Sequence, residues 1–340
     1  MKIAEYVSIG HPDKIADYIS QYILDRYIEK DPDVKYAVEV QIKNFNVSLG
    51  GEVSSKYKFS SYQLVQFVRE AVNEIGYTRE YMDKWGSENA ICGDLLNVVV
   101  WINQQSPDIA QGLTGWGDQG IFFGYSNTNK ETFGMPFEHT LAKRICKDLF
   151  DKKIGGLDIK SQVVTDGGIV KKIIVAIPLL QSKDTAIVEE YLRSVLKYDC
   201  DVIINGTGRY VQHSTIADCG TTGRKLAVDF YGGACRLGGG SPWTKDGSKA
   251  DLSLNLYARK IAKEFAEKYD CEIYSSLACC IGKKEVDISI TDSKNNLLFR
   301  GEESVDPMRL KREFYLDTPI YTSMCKWGLF GEFQQDKGWE

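Results

Sequence analysis

From Pro12 onward the apolar residues Ile15, Ile19, Tyr22, Ile23 and Tyr27 recur at spacings of three and four, which predicts an amphipathic helix. Pro12 suits its first position, because proline has no N–H to leave unpaired there. Asp13 then falls in the first turn, where the positive end of the helix favours an anion. His11, one of three histidines in 340 residues, stands at this start. Such a stretch either caps a helix or faces a phosphate or metal, and alone it leaves both readings open. Further along, residues 34–53 read as two strands ending at Gly50-Gly51, residues 60–77 as a helix stopped by Gly76, and residues 95–104 as a strand. An apolar strand over 169–180 precedes a helix over 185–199. A helix over 250–269 is followed by strands over 272–281 and 285–293. These three blocks, each with strands and one or two helices, predict a three-part α+β protein divided at 1–106, 112–213 and 214–340.

Composition narrows the function classes. A net charge of -5 argues against a nucleic-acid partner, which calls for a basic face. No apolar run approaches the roughly 18 residues of a membrane span, and residues 1–14 lack the apolar core of a signal peptide. The nine cysteines show no Cys-x-x-Cys spacing, so neither a zinc site nor a disulfide framework is indicated, and a reducing cytoplasm is the expected compartment.

The chemistry concentrates in loops. Residues 104–125, 205–233 and 235–253 are glycine-rich and carry Asp, with Lys and Arg in the last two. Glycines admit backbone N–H groups close to a ligand, and cations beside them neutralise phosphate oxygens. None fits a Walker pattern or a dinucleotide fingerprint. One such loop is ordinarily a plain turn. Three of them, together with His-Pro-Asp-Lys at 11–14, point to a polyphosphate site.

Taken in order, the loops resemble those of the S-adenosylmethionine synthetases: GHPDK at 10–14, GGE at 50–52, QSPDI at 105–109, GDQGIFFGY at 117–125, DIKSQV at 158–163, DCGTTGRK at 218–225, DFYGG at 229–233 and GGGSPWTKDGSKAD at 238–251. The resemblance implies three similar α/β domains about a pseudo-threefold axis. It also implies a reaction in which the methionine sulfur attacks C5′ of ATP, after which the expelled triphosphate is cut to diphosphate and phosphate. A thioether has no proton to lose, so the first step needs positioning and stabilisation of the leaving charge rather than a base.

By the same resemblance, Asp13 and Asp251 would hold Mg²⁺, two ions per site, and Glu39 would contribute to a K⁺ site. His11 would bond the phosphate chain, and Lys160, Arg224, Lys225 and Lys245 would bind the triphosphate. Asp158, Arg209 and Tyr210 would contact adenosine, with Ser241 near the nucleotide. Glu52, Gln105, Asp218 and Lys249 would hold methionine, with Asp118 close to the forming sulfonium. A homodimer or tetramer with sites between subunits is expected. His139 and His213 match no catalytic position and read as structural.

The chain also departs from the family's pattern. Ile9 replaces a glutamate, Gln212-His213-Ser214 a glycine-rich turn, Leu252 a basic residue and Leu237 a histidine, while the lid segment between Asp108 and Gly117 and the C-terminal region are short. Two other readings are a regulatory relative that binds ATP or S-adenosylmethionine without turnover, and a Mg²⁺-dependent tripolyphosphatase.

Overall fold

The computed structural model describes residues 1–103, 115–196 and 199–340. Gln105, the QSPDI motif and most of the short lid segment therefore lie outside the described residues. The described residues form three four-stranded sheets. The first runs β4 (Asn97–Asn103), β3 (Asn46–Ser54), β2 (Lys35–Lys43), β9 (Gly220–Thr221). In the second the order is β1 (Lys2–Val7), β6 (Lys160–Asp166), β7 (Ile169–Ala176), β8 (Asp201–Ile204). The third is β12 (Leu297–Ser304), β11 (Glu285–Asp292), β10 (Ile273–Cys279), β5 (Gly120–Ser126).

Each sheet has a hairpin at its centre and borrows one edge strand from elsewhere in the chain. β1 precedes the first sheet yet pairs in the second, β5 lies in the third, and β9 returns to the first. The exchange is cyclic, so a division at 1–106, 112–213 and 214–340 follows the chain, while the sheets cross it. The parallel pairs β3–β4 and β7–β8 need long crossovers. These are supplied by α2 (Ser61–Ile75) with α3 (Arg79–Trp85), and by α5 (Thr185–Leu196). The predicted α2 ends where expected, Gly76 taking the left-handed conformation, and a Ser60–Gln63 capping box opens it.

One long helix covers each sheet: α1 (Pro12–Ile28) on the first, α4 (Phe137–Asp151) on the second and α8 (Ala250–Tyr269) on the third. In β2 the alternating Tyr36, Val38, Val40 and Ile42 are buried, while Glu39 and Gln41 face outward. Val99 and Trp101 on β4, Ile3 on β1 and Ile121 on β5 remain exposed, so the sheets also carry apolar residues away from the core. Short helices α6 (Ser214–Ala217), α7 (Leu226–Asp229), α9 (Pro307–Glu313) and α10 (Tyr321–Lys326) fill the loops.

The amphipathic expectation for α1 needs correction. Pro12 and Asp13 open the helix as expected, but all of its residues except Arg26 are buried. Its polar positions Lys14, Asp17, Gln21 and Asp25 form a second stripe at spacings of three and four, and each finds partners inside the protein. Asp25 accepts from the backbone N–H groups of Tyr321 (3.0 Å) and Thr322 (2.9 Å) and from the Thr322 hydroxyl (2.6 Å), fastening the start of α10. Asp25→Ala leaves these buried donors unpaired and is expected to lower stability by about 2 kcal/mol or more in urea unfolding. A change within 0.5 kcal/mol or so would show that the stripe does not anchor α10.

Candidate active site

His11 is the N-cap of α1, and its Nδ1 accepts the backbone N–H of Asp13 at 3.1 Å. Nδ1 is thereby fixed as the acceptor and Nε2 as the protonated nitrogen. Burial, then the charges of Lys160, Lys225, Lys14 and Arg224, hold His11 far below the usual histidine range. The imidazole is neutral, and its remaining N–H is surrounded by cations. Gly10 is required just before it, since a Cβ there would lie 2.3 Å from the carbonyl oxygen of Leu157.

The glycine-rich loop after β9 folds onto the first turns of α1. Asp13 accepts from Thr221 N at 2.9 Å, and one turn on Asp17 accepts from Gly223 N at 2.9 Å. Gly223 has φ +73, and a Cβ on it would meet Cβ of Ser241 at 2.7 Å, so the second glycine-rich loop presses on the first. Arg224 and Lys225 emerge from this clamp. Lys225 Nζ lies 2.5 Å and Arg224 Nη1 3.8 Å from the Asp13 carboxylate. Lys160 joins the corner from the first residue of β6, opposite Val7 in the β1 register.

A buried charge network underlies the clamp. Lys14 Nζ is 2.7 Å from Asp229 and 3.3 Å from Asp17, and lies 4.6 Å from the centre of the Trp243 ring. Trp243 Nε1 donates to the other Asp229 oxygen at 2.8 Å, and Gln21 Nε2 donates to the Trp243 carbonyl. Burial pushes the Lys14 ammonium toward neutrality, but Asp229 and Asp17 outweigh it and hold it charged. Burial raises the carboxyls of Asp17 and Asp229, with Lys14 opposing in both. The sequence reading missed these residues as functional supports. Their signal was present as the polar stripe on α1, and as motif residues Asp229 and Trp243 that carried no assigned role.

Beside the corner, Asp158 is buried, with Oδ2 accepting from Ser214 N at 2.9 Å and Oδ1 lacking any partner. Tyr210 donates its hydroxyl to the Asp158 carbonyl at 3.3 Å. Burial raises the Asp158 carboxyl, partly offset by Lys160, while Asp218 adds to the rise. Asp218 is exposed and accepts from Cys219 N, and Arg209 is exposed. His213 lies in a box of Tyr77, Tyr81 and Trp85. Its Nδ1 donates to the Val211 carbonyl at 2.6 Å, and its Nε2 accepts from the Tyr81 hydroxyl at 2.7 Å. It therefore braces the turn from which Ser214 reaches Asp158. Ile9 and Leu252 are buried in the core and replace polar residues by packing.

A second group gathers at the start of α8. Asp251 accepts from Gly240 N at 2.9 Å and pairs with Lys245. Ser241 accepts from Trp243 N at 3.2 Å. Asp118 lies nearby: its carbonyl accepts from the Cys279 thiol at 3.4 Å, and that thiol is pushed up to about 11 by burial, with Asp118 and Asp251 adding. Lys249 is the N-cap residue of α8. Glu39 accepts from the Thr222 hydroxyl, and Glu52 stands opposite Ala37, so both belong to the outer face of the first sheet beside Val99 and Trp101. Among the described residues no three His, Cys, Asp or Glu side chains form a metal cluster. Asp13 and Asp251 each offer one carboxylate, already facing cations, which suits an ion held mainly by phosphate oxygens and water.

Three strand-exchanged sheets around a corner lined by the cations of Lys160, Arg224 and Lys225 define an α+β protein with a positively charged loop site. The N-terminal domain of the S-adenosylmethionine synthetases matches residues 1–107, and the C-terminal domain of that family matches residues 213–340. The solved structure of an unusual S-adenosylmethionine synthetase from Campylobacter jejuni superposes with a TM-score of 0.88 at 28% identity, over 99% of this chain and 96% of that one. The chain belongs to the S-adenosylmethionine synthetase family. The three-sheet architecture accords with the pseudo-threefold arrangement that the resemblance implied.

The buried histidines make stability depend on pH. His139 and His213 are both lowered to about 4, chiefly by burial, from the ordinary 6.5. Through these two histidines the unfolded chain binds more protons between these values, so their contribution to stability falls as pH drops from about 6.5 to 4 and levels off below, while the raised carboxyls of Asp17 and Asp229 act in the opposite sense. The expected loss is on the order of 3 kcal/mol per histidine, read by urea unfolding across that range. His213→Phe should remove its share of the slope; an unchanged slope would contradict a neutral, buried His213.

Proposed function

We propose that the protein is a methionine adenosyltransferase, converting ATP, L-methionine and water to S-adenosylmethionine, phosphate and diphosphate. The observation that carries this reading is the corner where neutral His11, Lys160, Arg224 and Lys225 converge beside the unpartnered Asp158 oxygen. The cations suit a triphosphate, and the bare Oδ1 suits a hydroxyl or amino donor of the adenosine.

In this reading Lys160, Arg224, Lys225 and Lys245 hold the triphosphate and take up negative charge as the C5′–O bond breaks. The His11 Nε2–H donates to the phosphate chain without releasing a proton, since no proton is lost when a thioether becomes a sulfonium. Asp158, Arg209 and Tyr210 position the adenosine, with Ser241 at the loop contact below it. Glu52, Asp218, Lys249 and Gln105 hold methionine, and the Asp118 carboxylate stabilises the sulfonium. The same cations then retain triphosphate for attack by water. Asp13 and Asp251 would hold two Mg²⁺, which supply charge neutralisation to the phosphate oxygens. Glu39 would contribute to a K⁺ site.

The functional unit is proposed to be a homodimer or tetramer. Glu39 and Glu52 lie on an open sheet face with exposed Val99 and Trp101, and Glu39 reaches the edge of the corner through Thr222. A second copy on that face would cover it and close the site.

Incubation with ATP, methionine, Mg²⁺ and K⁺ should yield all three products. Binding without products would favour a regulatory relative, and phosphate release from tripolyphosphate alone a phosphohydrolase. Lys245→Met is expected to slow synthesis about a hundredfold or more, the cost of one charge-assisted contact to a developing anion. More than half of the normal rate would remove Lys245 from the site. Inactive variants at Glu52, Lys160 and Lys245, co-refolded in pairs, should recover part of the activity if sites are shared. An active monomer by ultracentrifugation, with no pair rescued, would overturn the shared site.

A further inference from the structure

Residues 157–159 precede β6, and their backbone groups are met largely by side chains. Ser8 Oγ accepts from Ile159 N at 2.9 Å and donates to the Leu157 carbonyl at 2.6 Å. The Tyr81 hydroxyl, from α3, accepts from Leu157 N at 3.0 Å and lies 2.7 Å from His213 Nε2. The direction of that second bond is fixed by the far side of the imidazole. His213 Nδ1 faces the Val211 carbonyl at 2.6 Å and must donate to it, so Nε2 carries no proton and accepts from Tyr81. This requires a neutral ring, and burial lowers His213 to about 4.

The next residue closes the path. Ser214 has φ +56, the left-handed region in which a side chain crowds the following carbonyl. In that conformation its N–H reaches Asp158 Oδ2 at 2.9 Å. The turn is held on both sides: His213 N donates to the Asn89 carbonyl at 3.0 Å, and the Thr215 hydroxyl donates to the Asn44 carbonyl at 2.7 Å. The bonds form a closed circuit. It runs from Asp158 Oδ2 to Ser214 N, through the His213 ring to Tyr81, and from Tyr81 to Leu157 N, one residue before Asp158. Backbone strain persists where its surroundings over-determine it, and here it aims an N–H at a carboxylate of the candidate site.

We propose that His213 and Tyr81 are positioning residues for nucleoside recognition. They hold the Asp158 carboxylate and, through the Asp158 carbonyl that accepts from its hydroxyl, the Tyr210 side chain in the arrangement that binds the nucleoside. The inference rests on the reading of Asp158 and Tyr210 as nucleoside contacts. Lys160, two residues on, is held separately by the β1–β6 pairing, so loss of the circuit falls on the nucleoside and spares the phosphate chain.

The test is titration calorimetry of the intact protein with Mg²⁺ and two non-hydrolysable ligands that share the phosphate chain, adenosine 5′-(β,γ-imido)triphosphate and imidotriphosphate. The readout is the ratio of their affinities, which a general loosening of the protein does not move. Tyr81→Phe keeps the ring between Tyr77 and Trp85 and removes only the hydroxyl, and urea unfolding checks that it folds. It is expected to lower the ratio about tenfold by weakening the nucleotide alone. His213→Phe should do the same, and the double variant should lose little more than either, because both break one circuit. A folded Tyr81→Phe or His213→Phe with an unchanged ratio, equal weakening of both ligands, or an additive loss of about a hundredfold in the double variant would each overturn the proposal. Synthesis by the wild type tests the adenosyltransferase reading separately: nucleotide bound without product would refute that reading, while the ratio would still decide this one.

Discussion

The rest of the structure depends on one buried ammonium, that of Lys14, held between the carboxylates of Asp17 and Asp229. Isolated, any of the three charges would be costly to bury, and together they hold one another in place. Through them the first turns of α1 are tied to α7 and to the loop of Trp243. These are the segments that deliver Arg224, Lys225 and Lys245. The network touches no candidate substrate position, yet it fixes the distance between loops that come from chain segments about two hundred residues from α1.

In the proposed reading, the corner above it would receive negative charge by an exchange of ion-pair partners on loops already held in place. Backbone N–H groups of Thr221 and Gly223 are bonded to carboxylates on α1, so the loop does not collapse into its own hydrogen bonds. The cations of Lys225 and Lys245 rest on Asp13 and Asp251, which keeps like charges close together while no ligand is bound. A polyphosphate entering such a site exchanges partners rather than creating order, and that is the physical meaning of electrostatic preorganisation.

Much of this was legible in the sequence, and the limits have physical causes. The period of α2 and α8, the β2–β3 hairpin and the Pro12 start follow local rules of spacing and capping, and they stand where those rules put them. The strand β5 did not: its Gly120 and Gly124 made GDQGIFFGY read as loop. Gly124 is needed because a Cβ there would strike the α8 backbone at Ala258. Likewise the spacing along α1 predicts an amphipathic helix, because a polar stripe normally faces water. Only the tertiary partners of Asp17, Gln21 and Asp25 reveal that this one is buried. The motif residues around His11 could be named from resemblance, whereas the Asp158 orphan oxygen and the His213 brace are facts of distance that no spacing encodes.

The cyclic loan of β1, β5 and β9 has a consequence for how the chain can come into being. A protein of consecutive, self-contained modules can complete the first while the last is still being synthesised. Here the first sheet lacks its edge until residues 220–221 arrive, and the third cannot begin to close before residue 273, although its own edge strand was made long before. Early strands must wait with open edges, which are the surfaces most prone to pairing with the wrong chain. Native β1 and β5 spend that interval unpaired, so this architecture places its greatest demand on protection during translation rather than on stability afterwards.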